Sequence, residues 1–350
     1  MNDIEIQGRI IGPGQRPFII AEMSGNHNES LERALAIVRA AAGVGADAVK
    51  LQTYTPDTMT LNLDEGEFRI EDKNSLWRGE TLYKLYARAH TPWDWHRPIM
   101  ELCRELNIIC FSTPFDATAV DFLESLNVPA YKIASHENAD IPLIKKVAAT
   151  GKPLFISAGL AEMAELDETV RTVREAGNEN LVLLKCTNRP PADPDDTNLA
   201  TIPHMRELFD VQVGLSDHTL GIGVAVASVA FGATVIEKHL TLNRADGGVD
   251  TAFSLEPSEL KNLVIETERA RQAVGRITYG VTEKEKRSLQ FRRSLYIARD
   301  MKAGEIFTTE NLRAIRPGRG LAPKYYEIFL GKKVARDVKR GTPLSWDLLC

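Results

Sequence analysis

Eight short apolar runs, separated by longer amphipathic stretches, limit what this chain can fold into more than any other feature. They are PFIIAE, ADAVKLQ, NIICFS, PAYKIAS, KPLFIS, LVLLKC, VQVGLS and ATVIEKH. Strands that are apolar almost throughout are buried on both faces, which is the habit of parallel sheets. The stretches between them carry helical periodicity. LERALAIVRAAAGVG sets Leu31, Leu35 and Val38 on one face, with Ser30 before it as an N-cap and Gly43 and Gly45 to stop it. Eight such alternations predict an α/β protein, a (β/α)8 TIM barrel. A doubly wound open sheet is the competing architecture, but no GxGxxG follows the first strand to favour it.

At 350 residues the chain can hold a barrel and a small second domain. The barrel domain is expected over 1–275. IEIQGRIIG, within residues 1–12, reads as a hairpin closing the barrel bottom. Residues 54–90 form a long insertion carrying Phe68, Trp77, Tyr83 and Tyr86. It reads as a lid or substrate loop, the alternative being packing against the outside of the barrel. Residues 276–292 are charged and polar, as in a linker. From 293 to 350 the short β-type pieces and turns predict a small β-rich domain with a thin core that leans on another surface.

The formal net charge of −5 gives no basic bias toward nucleic acid or anionic membrane. No apolar run approaches membrane-spanning length, and MNDIEIQGRII lacks the apolar stretch of a signal peptide. Four cysteines without CxxC spacing suit a reducing, cytoplasmic setting.

In a barrel the active site lies at the C-terminal ends of the strands. The first run ends in Glu22, Ser24 and Asn26, and the second carries Lys50 and Gln52. The third ends in Ser112 and Thr113; the fourth gives Lys132, Ser135 and Glu137. Ser157 and Gly159 follow from the fifth, and Lys185, Thr187 and Asn188 from the sixth. Ser216 with His218, and Glu237 with His239, end the last two. Residues two apart share a strand face, so each of those two pairs points the same way. Two neighbouring histidines can hold a divalent metal. Lysines among small hydroxyls suit a phosphate or carboxylate, and Glu22 and Glu237 are candidates for acid–base work. The expectation is a metal-dependent enzyme acting on an anionic, phosphorylated substrate. Cys186 reads as a small buried apolar residue, Asp217 as an orienting neighbour, and Trp93 and Trp95 as packing at a helix start.

IAEMSGNHN, GADAVKLQTY, FSTPFD, YKIAS, LLKCTN, GLSDHT and VIEKH, in that order, resemble the sialic acid synthase family, and IRPGRG resembles its antifreeze-like (SAF) domain. The resemblance covers essentially the whole chain. QTYTPDTMTL, LWRGETLYKLY, HTPWDW and FRRSLY resemble most closely the pseudaminic acid synthase branch. The resemblance implies condensation of phosphoenolpyruvate with an N-acylated amino sugar, a 2,4-diacetamido-2,4,6-trideoxy hexose, to a nine-carbon α-keto acid and phosphate. It implies that His218 and His239 bind the metal, Mn²⁺ with Mg²⁺ or Co²⁺ as substitutes. Lys50, Thr113, Lys132, Ser135, Ser157, Asn188 and Ser216 would hold phosphoenolpyruvate. Glu22, Lys50 and Glu237 would be catalytic. Gln52, Glu137 and Asp250 would lie near the acceptor sugar. Arg316 would enter the site of a partner subunit in a homodimer whose SAF domain caps the partner barrel.

Some positions depart from the family pattern. The sixth-strand loop reads CTNRPPADPDD, with Pro190 where a Tyr is common and an extra Arg189; IASHEN carries His136; and SAG replaces STG. Synthases of N-acetylneuraminate or legionaminate therefore stay open as alternatives. A Schiff-base aldolase using Lys132 or Lys50 is a reading from another enzyme class, and a binding protein built on the C-terminal domain is a third.

Overall fold

The computed structural model describes residues 2–73, 75 and 77–350. Asn74 and Leu76, which belong to the 54–90 insertion, and Met1 of the N-terminal segment lie outside the described residues. The chain divides into two compact units, Met1–Gly275 and Arg276–Cys350.

The first unit begins with an antiparallel hairpin, β1 (Ile4–Ile6) and β2 (Arg9–Ile11), in the register Ile4↔Ile11. Eight parallel strands follow: β3 (Phe18–Glu22), β4 (Ala48–Thr53), β5 (Ile109–Pro114), β6 (Tyr131–Ile133), β7 (Leu154–Ser157), β8 (Leu181–Cys186), β9 (Gln212–Asp217) and β10 (Val235–His239). They close into a barrel in chain order, with β10 pairing back onto β3. All eight expected runs become strands, and the open sheet is excluded.

Strand parity sorts the core into two layers. Ile19, Ala21, Val49 and Leu183 face outward into the packing between strands and helices. Phe18, Ile20, Phe111, Phe155 and Leu184 face inward, packed with Ile4, Ile6 and Ile11 of the hairpin. The lower interior is thus an apolar plug. Two residues further along the same inward columns stand Glu22, Lys50, Thr113, Lys132, Ser157 and Glu237. Six of the eight strands therefore change from apolar to polar along their inner faces, and the change marks the floor of the site.

The helix Leu31–Gly43 begins where Ser30 accepts the Arg33 amide at 3.2 Å. It buries Ala34, Ile37, Val38 and Ala41. Leu31 and Leu35 are only half-buried at its margin, because the buried stripe lies a residue or two from the one the sequence suggested. The insertion folds into a short helix Pro56–Met59, a bridge between Arg69 and Thr81, and a helix Leu82–Ala89.

The second unit has its own core around Leu295, Ile297, Phe307, Leu312 and Phe329, beside a two-stranded sheet of β11 (Ser294–Ile297) and β12 (Leu312–Ile315). Isolated bridges such as Met301↔Val338 and short helical turns, among them Lys286–Phe291 and Tyr326–Phe329, complete it.

Candidate functional site

A cavity of about 770 Å³ opens over the polar end of the barrel. That volume is large enough for two small substrates. Lys50 is among the residues that line it. Its ammonium is 2.9 Å from Glu22 Oε2 and 3.0 Å from Glu237 Oε1, and Lys132 Nζ stands 3.3 Å from the same Glu237 oxygen. The register explains the meeting: Glu22 pairs with Lys50 across β3–β4, and Glu237 pairs with Ser216 across β9–β10. Ser216 donates its hydroxyl to Glu237 at 2.9 Å. Gln52 Nε2 and the Ser24 amide donate to Glu22 Oε1 at 3.1 and 3.0 Å. Two buried ammonium groups and two buried carboxylates thus balance in charge, which a buried cluster needs.

Their proton affinities are pushed apart. Burial raises the Glu22 carboxyl despite the neighbouring Lys50 charge. Burial would raise Glu237 as well, but Lys132 and Lys50 outweigh it and hold that carboxyl well below the usual range. Glu137, in the turn Ser135–Glu137 after β6, is raised to about 7, mainly by burial.

His218 and His239 meet at the rim with ring centroids 5.2 Å apart, and Phe253 packs edge-on to both. His218 Nδ1 faces the Thr187 carbonyl at 3.1 Å. Donation there fixes the tautomer and leaves Nε2 its lone pair. His239 Nδ1 is buried without a hydrogen-bond partner. These two imidazoles fit a divalent metal. No cluster of three or more His, Cys, Asp or Glu suited to a metal occurs among the described residues.

Lys50, Gln52, Lys132, Ser135, Glu137, Ser157, Asn188, Ser216 and Asp250 all line the cavity with the two glutamates and the two histidines. Thr113 does not line it; its hydroxyl is buried on the inward face without a partner. Arg316 follows β12 in the second unit, where it is exposed.

The residues at the strand ends fall on two faces of the barrel wall. Lys185 shares the outward face of Leu183 and donates to the Cys186 carbonyl at 3.2 Å, so it is no part of the cradle. Ser112 likewise turns outward to bond Thr53 Oγ1 at 2.6 Å. Asp217 pairs behind the wall with the fully buried Lys238 at 3.0 Å. Cys186 is buried, as the sequence suggests, but its role is not packing alone. It lines the cavity, its sulfur lies 3.8 Å from His218 Nδ1, and although burial pushes a thiol up, that contact and Lys132 bring it down to about 7. Its inward parity with Leu184 was the signal that could have found it.

The insertion supplies the opposite wall. Ile70, Leu82 and Leu85, with Phe115 after β5, give that side an apolar face. Trp77 and Tyr86 line it too; Phe68 does not, and Tyr83 turns away, its hydroxyl on Asp57 at 3.2 Å. His136 reaches Asn188 across the rim, with 2.9 Å between Nε2 and the side-chain amide nitrogen.

The sequence matches the NeuB family over residues 37–279 and the SAF domain over residues 292–349. It is 44% identical to the pseudaminic acid synthase of Campylobacter jejuni over 331 residues, covering 95% of this chain and 96% of that one. To the N,N'-diacetyllegionaminic acid synthase of Legionella pneumophila it is 36% identical, covering 96% and 95%. In structure it is similar to an N-acetylneuraminic acid (sialic acid) synthetase from Leptospira borgpetersenii, crystallised with citrate. The TM-score is 0.73 at 30% identity, over 83% of this chain and 96% of that one.

Proposed function

The chain belongs to the NeuB family, and from that footing we propose that it is a pseudaminic acid synthase. It condenses phosphoenolpyruvate with a 2,4-diacetamido-2,4,6-trideoxy hexose to a nine-carbon α-keto acid and phosphate. The observation that carries the chemistry is the meeting of Lys50 and Lys132 at Glu237, beside the histidine pair. The branch rests on 44% identity to a pseudaminic acid synthase against 36% to a legionaminic acid synthase, each over nearly the full length.

In the reaction, C3 of the enol attacks the sugar aldehyde, and positive charge develops at C2. Water adds there, and phosphate leaves from the tetrahedral intermediate. Lys50 and Lys132 neutralise the phosphate and carboxylate of phosphoenolpyruvate, with Ser135, Ser157, Asn188 and Ser216, which line the cavity as Thr113 does not, as short hydrogen-bond partners. Glu237, held between two ammonium groups, is the poorer proton acceptor. Glu22, with one, takes the proton of the attacking water. His218 and His239 would hold Mn²⁺ or a substitute, which would supply a Lewis acid for the carbonyl of the sugar. Gln52, Glu137 and Asp250 orient that sugar, and the enzyme works as a cytoplasmic homodimer in which Arg316 completes the partner's acceptor site.

The apolar wall of Ile70, Leu82, Leu85 and Phe115 suits a C6 methyl group. An apolar wall rejects an added hydroxyl only about 10²-fold, so some turnover of 6-hydroxy sugars is expected. The test is phosphate release from phosphoenolpyruvate with the trideoxy hexose and with 6-hydroxy N-acyl hexoses, before and after metal stripping, with a product mass spectrum. A preferred 6-hydroxy acceptor overturns the branch, and full activity in excess EDTA overturns the metal. The lowered proton affinity of buried Lys132 favours a second reading, a Schiff-base aldolase. A borohydride-trapped pyruvate adduct on Lys132 decides for it.

A further inference from the structure

Asp250 stands between two short 3-10 turns, Arg244–Asp246 and Thr251–Phe253, after a pair of glycines. Gly247 and Gly248 precede it at φ 70° and 141°, the left-handed region that favours glycine. Two glycines in sequence give the unfolded segment more freedom to lose than any other pair of residues. Yet the Asp250 carboxylate is buried and hydrogen-bonded to Ser24 Oγ, next to the Gln52 and Glu22 network.

Arg33 holds Asp246 at 2.7 Å and Ser24 holds Asp250, and two further clamps from outside the segment act on its backbone. Asn28 Nδ2 donates to the Gly247 carbonyl at 2.8 Å, on the side where a Cβ at Gly248 would meet Asn28 Oδ1 at 2.3 Å. The second comes from the insertion. Trp77 Nε1 donates to the Val249 carbonyl at 3.1 Å, one residue before Asp250. Trp77 is itself held where the chain doubles back: Gly79 N donates to Ile70 O at 2.8 Å, and Ile70 N to Glu80 O at 2.9 Å.

We infer that Trp77 is a positioning residue for Asp250, so that seating the insertion over the site and placing the Asp250 carboxylate are one event. The inference rests on the acceptor role proposed for Asp250. It gives the insertion a second task beyond lining the cavity: the same segment that walls the acceptor side also fixes a polar group there. A sugar arriving before the insertion is seated meets an incomplete site.

The test uses Trp77→Phe, which keeps an aromatic ring and removes the N–H. In the ligand-free protein, hydrogen exchange of the amides of residues 249–253 is expected to quicken severalfold, while the barrel strands stay unchanged. The KM for the acceptor rises about three- to tenfold, the range for losing one neutral hydrogen bond, and the KM for phosphoenolpyruvate does not move. In an Asp250→Asn background the same substitution adds nothing, because Trp77 acts through Asp250. Unchanged exchange, an unchanged acceptor KM, equal rises in both KM values, or additivity with Asp250→Asn each overturns the inference. The exchange measurement needs no substrate. A wrong choice of acceptor sugar, which sinks the proposed function, therefore shows separately, and the kinetic arms then use the sugar that the wild-type enzyme accepts.

Discussion

Glu137 shows how one buried side chain couples this site to pH. Its carboxyl is raised from the usual 4.5 to about 7, first by burial, with Asp140 pushing the same way and Lys132 opposing. A carboxyl raised by folding contributes its full stability below the unfolded value and loses it as pH climbs through the folded one. Stability from this group is therefore present below about pH 4.5 and gone above about pH 7. Glu137→Gln stays neutral throughout. Relative to wild type it gains roughly 1–3 kcal/mol between pH 5 and pH 8, read as the difference in urea unfolding free energy. A wild-type-minus-variant difference that is flat across that range disproves the assignment. Glu137 itself was legible as a polar strand-end residue, but its environment was not, because burial depends on the neighbouring turns that close over it.

Elements were more legible than their faces. The barrel strands stand out in the sequence because each is a short apolar run ending in polar residues, and parity then orders their interiors. What parity needs is a reference for which face is inward, and strand ends alone do not supply one. That is why Lys185 and Ser112 looked like members of the site, and why Cys186 did not. The insertion's internal bonds were not legible either, since Trp77 finds its partner 172 residues away. Close packing between strands adds a constraint of its own at Gly214 on β9. A Cβ there would sit 2.3 Å from the Val235 carbonyl oxygen and 2.7 Å from Leu184 Cδ2. Backbone cannot yield as a flexible side chain does, so Gly214→Ala must push β9 from β10, the pair that carries Ser216 and Glu237. Overpacking of this kind costs about 1–3 kcal/mol or more. We expect a lower unfolding midpoint and a fall in kcat, and a variant matching wild type in both would show that the barrel relaxes at this seam.

At the scale of the whole molecule, two units with separate cores share one chain. The first contains the ion cradle, the histidine pair and the apolar wall, whereas Arg316 belongs to the second. In the proposed homodimer each barrel draws its arginine from the partner, and that arrangement can be separated from supply within one chain by complementation. Arg316→Ala and Lys50→Ala subunits are each expected to be inactive alone. In a mixed dimer, the barrel that keeps Lys50 faces the partner that keeps Arg316, so one site is whole and the other carries both lesions. Random pairing of equal amounts makes half of the dimers mixed, and restored activity approaches about one quarter of wild type. Supply within one chain leaves every site in the mixture with one lesion, so no activity returns. An Arg316→Ala enzyme that is active on its own removes the arginine from the reaction altogether.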